Sequence, residues 1–171
     1  MAVKRTFTLL EIVLALAIFS VIATLAGSIL FSSQQGWSVV RESSAELETL
    51  QRLDRIAGEE RKRPAVLLEV NVSGEASKAG VPVAELEPFA RRAAACANLD
   101  FRGFMTMAPF DAEPVKIAAI FELLRLTRDE LEAKLGRELP ELSMGMSGDY
   151  EIAARHGSTI VRVGTLIFGT R

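Results

Sequence analysis

Small and charged residues near the carboxyl end of the chain have the spacing of an anion-binding site. Ser147 and Gly148 follow one short apolar run, and a second run is interrupted by Gly164 and Thr165. Small residues let backbone N–H groups approach a ligand closely, and the two hydroxyls can donate to phosphate oxygens. Arg162, two residues before Gly164, supplies a fixed cation. Ordinary turn glycines beside a solvated arginine would show the same pattern, so both interpretations stay open at this point.

The elements around these residues predict a small β–α–β unit. The run Leu142–Met146 has apolar side chains on alternate positions, as a half-buried strand does. Tyr150–Arg155 can form about two helical turns, and Gly157 stands where a helix would stop. Thr159–Phe168 is rich in β-branched residues and is predicted as a strand, interrupted by Gly164. Because a helix joins them, the two strands should lie parallel in one sheet.

The chain before this unit alternates between helical and strand patterns. Helices are predicted from Ser43 to Gly58, over Val83–Ala97 and from Pro114 onward with a stop at Gly136, and strands over Ala65–Val72 and Asp100–Met107. The first and last of these helices carry apolar stripes at helical spacing. The stripes are Leu47, Leu50, Leu53 and Ile56 or Ala57 in the first, and Ile117, Ile120, Phe121 and Leu124 in the last. Four strands, each after a helix, predict an α/β fold with a parallel sheet.

Three segments of the chain carry a resemblance to a known family. They are VLLEVNVSGEASKAG from Val66 to Gly80, FRGFMTMAPF from Phe101 to Phe110, and SMGMSGDYE with GSTIVRVGTLIFG between Ser143 and Gly169. They resemble the pyridoxal phosphate homeostasis proteins (the YggS type), in that family's order. These proteins share the barrel of the alanine racemase N-terminal domain. The resemblance therefore implies the C-terminal half, four βα units, of a TIM-type (β/α)8 barrel.

The resemblance also implies a cofactor and a function. It implies pyridoxal 5′-phosphate (PLP) binding and intracellular PLP homeostasis, with Ser147, Gly164 and Thr165 at the phosphate and Arg162 near the pyridine nitrogen. An arginine there keeps that nitrogen unprotonated and weakens ordinary pyridoxal chemistry, which fits a cofactor carrier rather than a catalyst. The family's covalent lysine lies on an early strand that we do not find in the sequence. We therefore expect weak or noncovalent PLP binding, no catalytic residue and no racemase activity.

Residues 1–40 differ in composition from the rest of the chain. Ile12–Phe31 is a run of 20 residues without a charge, which as a helix is just long enough to cross a bilayer. The segment resembles the N-terminus of type IV pilins and secretion pseudopilins, in which a phenylalanine is followed four residues later by glutamate. Phe7 and Glu11 match those positions, and Thr6 stands where that family has glycine. Cleavage and methylation at Thr6, Phe7 and Glu11 would follow from this resemblance. A cleaved secretory signal and a buried core helix are the alternatives.

The composition limits the function classes. The chain has 171 residues and a net charge of −2, with no basic block beyond Arg61–Arg63, so nucleic-acid binding is not indicated. One cysteine and one histidine, Cys96 and His156, exclude an internal disulfide and the usual zinc sites, and no metal site is predicted. We interpret His156 as a residue at a helix end. A complete (β/α)8 barrel typically needs about 250 residues, so a whole barrel does not fit.

We therefore expect two parts, a pilin-like hydrophobic helix in residues 1–40 and a partial PLP-binding barrel in residues 41–171. Half a barrel has two open sheet edges, at Ala65–Val72 and Thr159–Phe168, which invite self-association. The barrel resemblance implies a cytoplasmic protein, whereas the N-terminal segment implies an inner-membrane anchor. The alternative function is accordingly a membrane-anchored, pseudopilin-like structural component of a pilus or secretion system. Two signatures that disagree about location suggest a fused or rearranged reading frame.

Overall fold

The computed structural model describes residues 45–75 and 78–169. The helices and strands are, in chain order, α1 (residues 45–59), β1 (Ala65–Asn71), β2 (Val81–Pro82), a 3₁₀ turn (Val83–Glu85), α2 (Leu86–Ala95), β3 (Asp100–Met105), α3 (Pro114–Leu135), β4 (Glu141–Met146), α4 (Tyr150–Arg155), β5 (Ile160–Arg162) and α5 (Thr165–Phe168).

The pilin-like segment lies outside the described residues. This concerns the run Ile12–Phe31 and the residues Thr6, Phe7 and Glu11. Within the two ranges that the structure describes, no helix combines the length and the apolar character that a bilayer crossing requires.

The five strands in the described ranges form one parallel sheet in the order β2–β1–β3–β4–β5. The predicted α/β fold with a parallel sheet is therefore confirmed, as is the parallel pairing within the β4–α4–β5 unit. Strand β2 was not predicted. It pairs only Val81 and Pro82 with Val70 and Asn71, and two residues are too few to show an alternating pattern.

Helix α3 follows its sequence pattern closely. Its predicted stripe is confirmed, since the four apolar side chains of that stripe are all buried. Pro114 is at the beginning of the helix, where its missing N–H has no intrahelical partner to lose. Gly136 ends the helix with φ = 64°, a conformation that L side chains rarely adopt.

Strand β3 contains an irregularity that brings two aromatic side chains together. Phe101 and Phe104 are three residues apart, so regular alternation would place them on opposite faces. The pairing of β1 with β3 skips Arg102, and both rings are buried on one side with centroids 5.6 Å apart. Gly103 permits this: its φ is +148°, and a Cβ there would lie 1.9 Å from the carbonyl oxygen of Glu141 on β4.

Helix α1 turns most of its predicted stripe to the core, with Leu47 packed against it, and departs from the prediction at Leu53. Leu50 and Ala57 are buried, whereas Leu53 is 39% exposed. Asp54 lies between the two buried residues on the same helical face, and its Oδ1 accepts a hydrogen bond from the backbone N–H of Asn98 at 2.8 Å. Because this tertiary bond needs Asp54 to face inward, the face of Leu50, Asp54 and Ala57 is buried, and Leu53 is rotated toward solvent.

The prediction of one strand over Thr159–Phe168 is wrong in its second half. Strand β5 ends at Arg162, and Thr165–Phe168 forms the short helix α5. The backbone N–H groups of Ile167 and Phe168 bond to the carbonyl of Gly164 at 2.9 and 3.0 Å. Beyond Arg162 no described strand pairs with these residues, so their hydrogen bonds are made locally.

Candidate anion-binding site

The predicted anion-binding residues meet at the carboxyl ends of β4 and β5. Ser147 Oγ accepts hydrogen bonds from the backbone N–H groups of Gly164 at 3.1 Å and Leu166 at 3.4 Å. Thr165 is the first residue of α5, directly after Gly164. The structure therefore brings Ser147, Gly164 and Thr165 together, and Gly164 and Thr165 are exposed.

The loop that carries Ser147 is held by its neighbours on both sides. Asp149 Oδ1 accepts a hydrogen bond from the backbone N–H of Met146 at 2.6 Å, which closes the turn between β4 and α4. Gly145 has φ = +96°, and a Cβ at that position would lie 2.6 Å from the Cβ of Ala153. Glycine is needed there because α4 packs directly against the end of β4.

Arg162 lies at the same edge, at the end of β5, and is half-buried. Its Nη1 donates to Ser143 Oγ at 2.8 Å and to the carbonyl of Ser143 at 3.3 Å. Its Nη2 donates to the carbonyl of Thr106 at 3.1 Å. Among the described residues no carboxylate lies within 4.0 Å of this guanidinium, so neutral oxygens orient the cation without neutralising its charge.

Two residues that contact Arg162 were not identified from the sequence. Ser143 and Thr106 are the buried polar side chains of the described core, 4% and 1% exposed. Thr106 Oγ1 donates to the carbonyl of Val70 at 2.8 Å, which ties the end of β3 to β1. The sequence signal that could have identified both residues is a hydroxyl at an inward position of a strand, since a buried hydroxyl needs a hydrogen-bond partner.

The prediction for His156 is confirmed, because this residue caps the carboxyl end of α4. Its Nδ1 lies 3.1 Å from Glu122 Oε2 on α3, and Arg125 also donates to the same carboxylate. Hydrogen bonds from Arg125 and then His156 lower the pKa of Glu122 from 4.5 to about 2. This cluster joins α4 to α3 and shares no recorded contact with Ser147, Gly164 or Arg162, so its role is to hold the two helices together.

The Ser147 hydroxyl and the backbone N–H groups at this edge can donate hydrogen bonds to an anion. The N–H groups of Gly164 and Leu166 are donors that now share one serine oxygen, and a phosphate oxygen is a stronger acceptor for the same donors. Arg162 adds positive charge nearby. Ligands of open parallel sheets bind at the carboxyl ends of the strands, which is where these groups lie.

Comparison with known proteins connects this geometry to a family. Residues 39–171 match the family described as "Alanine racemase, N-terminal domain". The pyridoxal phosphate homeostasis protein of Aquifex aeolicus is 44% identical over 106 residues, which are 62% of this chain and 46% of that protein. The human pyridoxal phosphate homeostasis protein is 41% identical over 114 residues, 64% of this chain and 42% of that protein. The chain spans about half the length of the curated relatives it matches.

Solved structures show the same likeness. PipY of Synechococcus elongatus without PLP has a TM-score of 0.67 and 36% identity, over 70% of this chain and 56% of PipY. PipY with PLP bound has a TM-score of 0.63 and 35% identity, over 70% of this chain and 55% of PipY. Alanine racemase from Corynebacterium glutamicum, 20% identical with a TM-score of 0.53, shares the fold. The chain thus belongs to the alanine racemase N-terminal domain family and is similar, within it, to the pyridoxal phosphate homeostasis proteins.

Proposed function

We propose that this chain contains the carboxyl-terminal part of a PLP-binding barrel and takes part in PLP homeostasis. The barrel part of the chain begins near residue 41. The observation that carries the proposal is the joint placement of the Ser147–Gly164 contact and Arg162 at one edge of a parallel sheet. The likeness to proteins described as PLP homeostasis proteins, and to a PipY structure with PLP bound, supports the same ligand.

The phosphate of PLP fits the Ser147 loop. Its oxygens would accept from the backbone N–H groups of Gly164 and Leu166, which now bond to Ser147 Oγ, and from the hydroxyls of Ser147 and Thr165. Gly164 and Leu166 are exposed and Ser147 is half-buried, so a phosphate can reach these donors without unfolding the loop. The phosphate carries more negative charge than a serine oxygen, and charge-assisted hydrogen bonds are roughly twice as strong as neutral ones.

Arg162 fits the pyridine nitrogen of PLP. Nη1 and Nη2 are engaged by oxygens of the strand ends, whereas Nε donates to none of the described residues. That N–H can donate to an unprotonated ring nitrogen. A cation without a carboxylate partner also disfavours a proton on that nitrogen, because like charges repel. PLP bound in this way is a poor electron sink, which favours storage of the cofactor over racemase chemistry.

We propose that the described residues bind PLP noncovalently. Where the structure records side-chain contacts for lysines in its described ranges, the partners are carboxylates, and none of these contacts is with Ser147, Gly164 or Arg162. Lys116 pairs with Glu75, and Lys134 pairs with Glu87 and Glu130. The affinity for PLP then depends only on the contacts to its phosphate and its ring nitrogen, and we expect weak binding.

Titration of PLP into the 171-residue chain tests the proposal. The absorbance of PLP should change saturably, and Ser147→Ala and Arg162→Gln should each weaken binding about tenfold, since each removes hydrogen bonds to a charged or polar ligand group. Arg155→Gln is the matched control, because Arg155 lies on the exposed side of α4 and pairs only loosely with Glu151 at 3.9 Å. Absence of saturable binding, or an equal loss in the Arg155 variant, would overturn the proposal.

We further propose that the chain self-associates through the β5 edge of its sheet. Strand β5 is three residues long and pairs on one side with β4. Val161 on β5 and the α5 side chains Leu166, Ile167 and Phe168 are 42–85% exposed. Contiguous exposed apolar side chains beside an open strand are typical of an interaction surface. Light scattering of the chain should show a dimer that Val161→Lys dissociates, and a monomer at high concentration would contradict this.

A further inference from the structure

One side chain that holds Arg162, that of Ser143, has no contact with PLP in the proposed site. The guanidinium is held by oxygens on two strands, with Ser143 on β4 and Thr106 directly after β3. The contact with Ser143 Oγ is the shortest of the three, at 2.8 Å, and the only one made by a side chain among these.

The Ser143 hydroxyl is fixed in place before any ligand arrives. Ser143 is 4% exposed and lies in β4, where it pairs with Met105 on β3 and Ile160 on β5. Its carbonyl also accepts from the backbone N–H of Thr106 at 3.1 Å. The sheet thus fixes the backbone of Ser143 on both sides, and burial of the side chain keeps Oγ beside Arg162.

We propose that Ser143 is a positioning residue, whose hydroxyl fixes the orientation of the Arg162 guanidinium toward the pyridine ring of PLP. The proposal rests on the function proposed above. Without Oγ, Nη1 keeps only the carbonyl of Ser143 at 3.3 Å, and the guanidinium can turn about the remaining contacts. Ser143 touches no ligand in this arrangement and acts entirely through Arg162.

The orientation of Arg162 can be measured directly by NMR of the guanidinium N–H groups in the ¹⁵N-labelled 171-residue chain. The Arg162 signals are assigned by their loss in Arg162→Lys. Three hydrogen bonds should hold the Nη groups in slow rotation in the unmodified chain. Ser143→Ala should speed this rotation about tenfold, because it removes one hydrogen bond to a charged group.

Two further variants separate positioning from a loss of folding. Ser143→Cys keeps the shape of the side chain but replaces the hydroxyl with a weak acceptor, so it should also speed the rotation. Ser158→Ala is the control: Ser158 Oγ donates to the carbonyl of Met144 on β4 at 2.7 Å and does not contact Arg162. In Ser158→Ala, the Nη groups of Arg162 should rotate at the same rate as in the unmodified chain. Slow rotation in both Ser143 variants would overturn the proposal.

A second readout connects the orientation to the cofactor. With PLP labelled at its ring nitrogen, the protonation midpoint of bound PLP should rise in Ser143→Ala, with about threefold to tenfold tighter proton binding, and stay unchanged in Ser158→Ala. If the ring nitrogen had the same protonation midpoint in the unmodified chain, Ser143→Ala and Ser158→Ala, the proposed effect of Ser143 on the pyridine ring would be overturned. If the unmodified chain binds no PLP, the proposed function fails, and the rotation rates alone still decide whether Ser143 positions Arg162.

Discussion

The bulge in β3 makes a sharp prediction for Gly103→Ala. The added Cβ would lie 1.9 Å from the carbonyl oxygen of Glu141, on backbone that also pairs with Gly103 in the sheet. Neither strand can move without breaking this pairing. Overpacking costs about 1–3 kcal/mol, and a non-glycine residue at φ = +148° costs about 1–3 kcal/mol more. We therefore expect a loss of about 2–6 kcal/mol, a large part of the stability of a typical domain.

Urea unfolding followed by circular dichroism measures this loss. With a slope of about 2 kcal/mol per M, the midpoint for Gly103→Ala should fall by about 2 M. Gly148→Ala is the matched control, because a Cβ at Gly148 meets nothing within 4 Å. Its stability should change by less than about 0.5 kcal/mol. A loss below about 1 kcal/mol for Gly103→Ala would refute the argument that the close strand contact requires glycine.

Two further predictions concern the helices. The pKa of Glu122 is lowered from 4.5 to about 2 by Arg125 and His156. A group whose pKa is lower in the folded than in the unfolded chain stabilises the fold above pH 4.5, and this contribution is lost as the pH falls toward 2. Glu122→Gln should therefore flatten the decline of the melting temperature across that window. In α1, Leu50→Ala should cost about 2–4 kcal/mol and Leu53→Ala less than about 1 kcal/mol in urea unfolding, since Leu50 is 8% and Leu53 is 39% exposed.

The controls for these two predictions come from the same elements. Glu151→Gln removes an exposed carboxylate on α4 whose partner Arg155 is 3.9 Å away, and such surface pairs contribute little. Its melting temperature should decline with pH as in the unmodified chain. An equal decline for Glu122→Gln would contradict the pKa argument. Equal losses for the two leucine variants would contradict the orientation of α1.

Local patterns predicted the parts of the fold whose formation depends on nearby residues. The stripe of α3 has a clear helical period, with Pro114 and Gly136 marking its ends, and the structure confirms all three features. The joining of two strands by a short helix predicted the parallel pairing of β4 with β5, because that connection is short and has one favoured hand.

The predictions failed where a distant residue decides the outcome. In α1 the prediction failed at Leu53, which is exposed while Asp54 faces inward and bonds to Asn98, 44 positions away. β-branched residues in Thr159–Phe168 favour a strand, but a strand needs a partner, and Thr165–Phe168 instead bonds to Gly164. Strand β2 exists because β1 is available to pair with two residues.

The candidate site shows the same division. Residue types and spacing marked Ser147, Gly164 and Thr165 as candidates, because small residues after strands and hydroxyls beside them are local features of the sequence, and the family resemblance favoured an anion site over ordinary turns. The orientation of Arg162 depends on Ser143 and Thr106, which are 19 and 56 positions away in the chain. Hydrogen bonds of a few ångströms between strand ends arise only when the parallel sheet sets the strands side by side. The sequence thus determined which groups are present at this edge, and the tertiary structure decided which way the cation faces.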